Sequence, residues 1–122
     1  MPGMRGLTLI VATADAARLR AALTLACTHA ALGGGARVFL HEEAVGLLGP
    51  AADVDADARR AAGLPDRHQL LAMAADSGVS VTACQTGLAL AGLAPTDLPD
   101  GVDIGGMVGV VATLGEDRVI FA

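Results

Sequence analysis

Short all-apolar runs alternate along the chain with stretches whose apolar residues recur every three or four positions. Leu7-Thr8-Leu9-Ile10-Val11-Ala12 lacks the polar alternation of a half-exposed strand, which predicts a strand covered on both faces. Thr13 or Asp15 then caps a helix that carries Leu19, Leu23, Ala26, Cys27 and Ala30 on one stripe and stops at Gly33-Gly34-Gly35. Arg37-Val38-Phe39-Leu40 predicts the second strand. HEEAVGLLGP follows as a short helix stopped by Gly49-Pro50, and residues 51–63, an alanine-aspartate-arginine stretch, predict a mobile loop or a loose helix. Pro65 at a first helical position opens a helix that buries Leu70, Leu71 and Met73 or Ala74 and ends at Gly78.

The third strand is Val79 to Ala83. Beyond Cys84 the spacing of Leu88, Leu90 or Ala91, and Leu93 fits a short helix ending before Pro95. Val102-Asp103-Ile104 is a brief fourth strand. MVGVVATLG, ambiguous by composition, is helical by position, and Arg118 to Phe121 is the fifth strand. Such alternation predicts one α/β domain over residues 1–122: a three-layer α/β/α sandwich, flavodoxin-like, with a mostly parallel sheet of about five strands. Ligands of such sheets sit at strand carboxyl ends. The residues there are Thr13 to Asp15, His41 to Glu43, Cys84 with Gln85, and Gly105-Gly106.

Composition narrows the chemistry. The chain has 122 residues, which suits one compact domain. All eight basic residues are arginines and the net charge is −5, so neither a phosphate-loop lysine nor a cationic surface is available and nucleic acid is not an expected partner. Lysine, tyrosine and tryptophan are absent, which removes Schiff-base chemistry and tyrosine acid/base catalysis. GGGAR and GGMVG match neither the dinucleotide fingerprint nor the phosphate loop, and no cofactor is expected. The start MPGMRGLTLIVATADAARL reads as a first strand rather than a secretory leader, and no run of about 18 apolar residues predicts a membrane span. With that start the expected location is the cytoplasm, where two cysteines, too few for a disulfide framework, stay free thiols.

Cys84 is the nucleophile among the strand-end residues. At a strand-to-helix junction its sulfur can face the unpaired amides of the helix start, which favours the thiolate. A helix terminus worth about 1 kcal/mol lowers a thiol pKa by less than about one unit. Cys27, mid-helix on the apolar stripe, is assigned to the core. His41-Glu42-Glu43 offers an imidazole and carboxylates that could shuttle protons, but three adjacent residues cannot all face one ion, and no metal site is assigned. The competing reading is an N-terminal helical turn with favourable acidic residues. His68 lies on a helix face expected to be exposed.

Ala83-Cys84 followed by a helix with Gly92-Leu93, then Leu98, Asp100-Gly101-Val102, Gly105-Gly106 and Ala112-Thr113-Leu114-Gly115, resembles the DsrE/DsrF-like family of small sulfur-relay proteins, nearest its peroxiredoxin-like branch. After the second strand this chain departs from that branch, with HEEAVGLLG in place of an aromatic-rich segment. The resemblance implies a three-layer domain assembled as a homotrimer or hexamer, and a sulfur-carrying cysteine at Cys84. The expected function is a sulfur carrier or sulfurtransferase that accepts sulfane sulfur on Cys84 from a persulfide, polysulfide or thiosulfate-type donor and yields it to an acceptor thiol, with Gln85, Thr86, His41 and Thr13 as supporting residues. That reading needs the sulfur presented to solvent. The rivals are a non-catalytic oligomeric module with Cys84 buried and inert, and a thiol peroxidase, for which Thr82 stands two rather than three positions before the cysteine and no C-x-x-C is present.

Overall fold

The computed structural model describes residues 4–122; the reading of the chain's start includes Met1, Pro2 and Gly3, which lie outside the described residues. Strands β1 (Leu7–Val11), β2 (Ala36–Leu40), β3 (Ser80–Cys84), β4 (Val102–Gly105) and β5 (Arg118–Phe121) form one sheet in the order β4-β3-β2-β1-β5. Every neighbouring pair is parallel. The connections hold α1 (Ala16–Ala31), a 3-10 segment Glu42–Leu48, α2 (Ala56–Ala61), α3 (Arg67–Asp76), α4 (Gln85–Ala91), a 3-10 turn Pro95–Asp97 and α5 (Met107–Ala112). This is the flavodoxin-like α/β architecture that the alternation predicts.

Right-handed crossovers decide which helix covers which face. The steps β1 to β2 to β3 to β4 all move the same way across the sheet, so their helices share a face, where α1 and α3 pack on each other. The return from β4 past β1 to β5 runs the other way and carries α5 to the opposite face. Arg37 of β2 reaches that helix, donating from Nη2 to the Val110 carbonyl at 3.0 Å and from Nη1 to Thr113 Oγ1 at 2.6 Å. Side chains alternate along a strand, so Phe39 shares the α5 side, as do the in-register neighbours Thr8, Ile10, Ser80, Thr82 and, two residues on, Cys84.

The two faces are unequally covered. On the α1/α3 side Leu7, Leu9, Val11, Val38, Leu40, Val81 and Ala83 are all buried and form the core. On the other, one six-residue helix that buries only Val110 lies against five strands. Ser80 and Asp103 remain exposed there, and Phe121 keeps 69% of its surface and Val108 84%.

Several local expectations are corrected. Asp15, not Thr13, caps α1, its carboxylate accepting from the Ala17 and Arg18 amides. Pro65 precedes the cap: Asp66 takes the Gln69 amide at 2.8 Å while Gln69 Oε1 accepts from the Asp66 amide, a reciprocal box that fixes the start of α3 at Arg67. Met73 is exposed because Leu70, Leu71 and Ala74 already fill the inward face. His68 is half-buried, its Nε2 lying 3.0 Å from the Gly49 carbonyl. Cys27, assigned to the core, is half-buried and packs against the core's edge beside Ser77, and burial pushes its thiol pKa up.

Residues 51–63 contain α2 and are tied down by charge. Asp53 lies 3.5 Å from Arg20 and 3.3 Å from Arg67, and Arg67, 3% exposed, also donates to the Leu47 and Ala51 carbonyls. The two carbonyls take the terminal nitrogens and the Asp53 carboxylate offsets the charge, while the buried Nε faces Asp53 without a hydrogen bond of its own.

Candidate functional site: a thiol among backbone amides

Cys84 is both the last residue of β3 and the residue before α4, with extended backbone at φ −67 and ψ 133. The junction follows from the sequence: the β-rich run Val81 to Ala83 gives way to Gln85-Thr86-Gly87-Leu88, whose Gly87 and Leu88 are buried as a helical turn. The expectation of a sulfur presented to solvent is corrected. Only 6% of Cys84 is exposed, because α4 and the Glu42–Leu48 segment close over the strand end.

Burial is the largest influence on this thiol and raises its pKa. The backbone amides of Glu42, Gly87 and Thr86 and the Thr86 hydroxyl oppose it, and together they bring the pKa below its ordinary value of 9.0. No cationic side chain takes part. The pull is therefore dipolar: the Cys84 side chain makes no cap hydrogen bond to α4, and the nearby amides favour the charge on sulfur rather than bind the thiol.

Two backbone features bring those amides together. Glu42 is the one non-glycine residue at positive φ among those described, at 47°. This left-handed turn reverses the chain directly after β2 and costs of order 1 kcal/mol. Opposite it, a Cβ on Gly87 would lie 2.5 Å from the Glu42 carbonyl oxygen and against Val45. Only glycine allows the two backbones to approach so closely.

Of the other residues expected at the strand ends, His41 stands beside Cys84 by register. Leu40 pairs with Ala83, and both His41 (φ −101, ψ 130) and Cys84 continue in extended conformation, so the next rung sets them side by side on the α5 face. His41 Nε2 is 3.5 Å from Glu42 Oε1, its ring stacks at a tilt 6.1 Å from Phe39, and Nδ1 is buried with no hydrogen-bond partner. Thr13, past the end of β1, is two strands away from Cys84; its hydroxyl is buried and also lacks a partner. Thr86 does act on the sulfur, whereas Gln85 is exposed and does not. Gly87 is a position that sequence reasoning missed, and Glu42, read there for its carboxylate, faces the thiol with its backbone amide instead; a glycine at the third position of a helix, where it is unfavourable, is the signal that marks the first.

Among the described residues no three His, Cys, Asp or Glu side chains gather as a metal site. No helix among them is long and apolar enough to cross a membrane. A cavity of 260 Å³ lies between α3 and the β3–β4 edge, lined by His68, Leu71, Val81, Gly101 and Val102 among others, and does not include Cys84.

The parallel five-stranded sheet, with its candidate nucleophile at a carboxyl strand end, is a flavodoxin-like α/β fold that the chain shares with solved structures. The crystal structure of the ychN protein from E. coli superposes with a TM-score of 0.71 at 23% identity, over 98% of this chain and 100% of that one. The protein of unknown function MTH1491 from Methanobacterium thermoautotrophicum superposes with a TM-score of 0.67 at 18% identity, over 98% and 100%. No protein-family profile matches the chain, and no curated protein is similar to it in sequence.

Proposed function

We propose that the protein is a cytoplasmic sulfur carrier in which a donor persulfide or polysulfide reaches Cys84 through the 6% of the residue that α4 and the Glu42–Leu48 segment leave exposed, and the Cys84 thiolate attacks the donor's outer sulfur. The donor's S–S bond breaks, the donor leaves as a thiolate, and the sulfur stays on Cys84 as a persulfide. A thiol or thiolate acceptor then removes it, and no resolving cysteine in the same chain is needed. The observation that carries this reading is the place of Cys84 at the carboxyl end of β3, between the start of α4 and the Glu42 turn that Gly87 lets approach, where the neighbouring amides hold its thiol pKa down despite burial. The same amides suit the leaving thiolate of the second step, because they point at a charge that forms on one sulfur.

The test is mass spectrometry of the intact protein after exposure to polysulfide, with thiosulfate as a second donor. The parent is expected to gain the mass of sulfur at Cys84, and Cys84→Ser is expected to gain none there. A parent that stays unmodified contradicts the reading.

A second reading, a non-catalytic oligomeric module, is favoured by a different observation. Cys84 is 6% exposed, and the Met107, Val108, Val111 and Ala112 surface of α5 is an open, almost entirely apolar groove. Apolar patches of that kind mark interfaces. Self-association into a trimer or hexamer fits either reading. Ready labelling of native Cys84 by a small thiol reagent separates them, since an inert buried thiol stays protected.

A further inference from the structure

We propose that His41 is the base that takes the acceptor thiol's proton as sulfur leaves Cys84, with the Glu42 carboxylate as the residue that positions its ring. The inference rests on the persulfide reading and adds a proton route to it.

Three observations carry it. The register of β2 on β3 puts His41 and Cys84 on adjacent strands and on one face. The Glu42 carboxylate lies 3.5 Å from Nε2, too long and too exposed for a fixed hydrogen bond, but as a group that only accepts it favours the ring form with its proton on Nε2 and the lone pair on Nδ1. Nδ1 itself is buried and bonded to nothing among the described residues, which is costly for a structural histidine and suits a group that meets its partner only during reaction.

The surroundings leave His41 free for that role. Arg37, four residues back on the same strand, is occupied by Asp117 at 3.6 Å, by Thr8 and Thr113, and by the Val110 carbonyl. Helices α4 and α5 carry no ionisable side chain. Glu42 and Cys84 are the ionisable neighbours, and Glu43 and Asp15 are exposed at the same strand ends.

The step balances as follows. The acceptor thiol gives its proton to Nδ1, and its sulfur attacks the outer sulfur of the Cys84 persulfide. The bond from that sulfur to Cys84 Sγ breaks, and its electron pair stays on Sγ as the thiolate among the Glu42, Thr86 and Gly87 amides. The acceptor leaves as a persulfide, the imidazole becomes imidazolium, and no external oxidant or reductant is consumed.

The decisive experiment follows discharge of preloaded Cys84 persulfide to a cysteine peptide, whose thiol pKa is about 8.5. At pH 7 only a few per cent of such a thiol is ionised, so His41→Gln is expected to slow discharge about tenfold there and hardly at all at pH 9.5, where the acceptor ionises unaided. Glu42→Gln should shift the same pH profile in part. Equal slowing at every pH, or none, overturns the role of His41 while leaving the carrier reading intact. A second measurement needs no loading: the imidazole NMR signals of His41, read at one fixed pH, should shift when Cys84 is alkylated or replaced by Ser. Unmoved signals overturn the proposal, whereas failure of the parent to load counts against the carrier reading itself.

Discussion

At Cys84 burial and backbone amides act on one proton in opposite directions, and the amides prevail. A thiol whose folded pKa lies below its unfolded value adds stability that is complete above the unfolded value and disappears as pH falls through the folded one. The urea midpoint of the parent should therefore rise relative to Cys84→Ser as pH approaches 9.0 from below, the ordinary value for this thiol. Gly87→Ala tests the arrangement of the amides. Its Cβ would meet the Glu42 carbonyl oxygen at 2.5 Å, so the 3-10 segment must move away and take the Glu42 amide with it. The thiol pKa, read from the pH dependence of alkylation, should rise, with a stability loss of about 1–3 kcal/mol from overpacking.

At the scale of elements, caps and ion pairs place what hydrophobic patterning does not. Asp66→Ala removes the reciprocal box at the start of α3 and should cost about 1 kcal/mol, measurable as a lower urea midpoint, while Asp66→Asn should retain most of it. Helix α5 buries only Val110 and is held to the sheet through Arg37. Arg37→Met should therefore raise hydrogen exchange at residues 107–112 while α1 and α3 stay protected. The central strand β1, buried at every position, was legible as an apolar run, the other strands through their apolar residues on the α1/α3 face, and Cys84 because it falls where the period changes. The Glu42 turn, the buried Arg67 and its partner Asp53 were not. Each depends on a contact between segments distant in sequence, and a charged residue looks the same in a solvated loop as in a paired interior site.

For the molecule as a whole, coverage is one-sided. Helices α1 and α3 seal one face of the sheet, whereas the other carries the short α5 and leaves Phe121 and Val108 in the open. If the chain self-associates, as either proposed reading allows, this apolar face is where copies would meet. Sedimentation should show an assembly larger than a monomer, and Val108→Asp, which sets a charge on the apolar groove, should reduce it toward the monomer without lowering the urea midpoint by more than about 0.5 kcal/mol. The candidate site lies at the carboxyl end of this same face, so assembly and access to Cys84 are linked by position.

The most direct test is the ionisation of Cys84 in the native protein, followed as the rate of alkylation by a small neutral reagent against pH, with Cys27→Ser removing the other thiol. The amide arrangement predicts labelling whose midpoint lies below that of the same thiol in the urea-unfolded chain. Protection at all pH values, or a midpoint at or above the unfolded one, would contradict it.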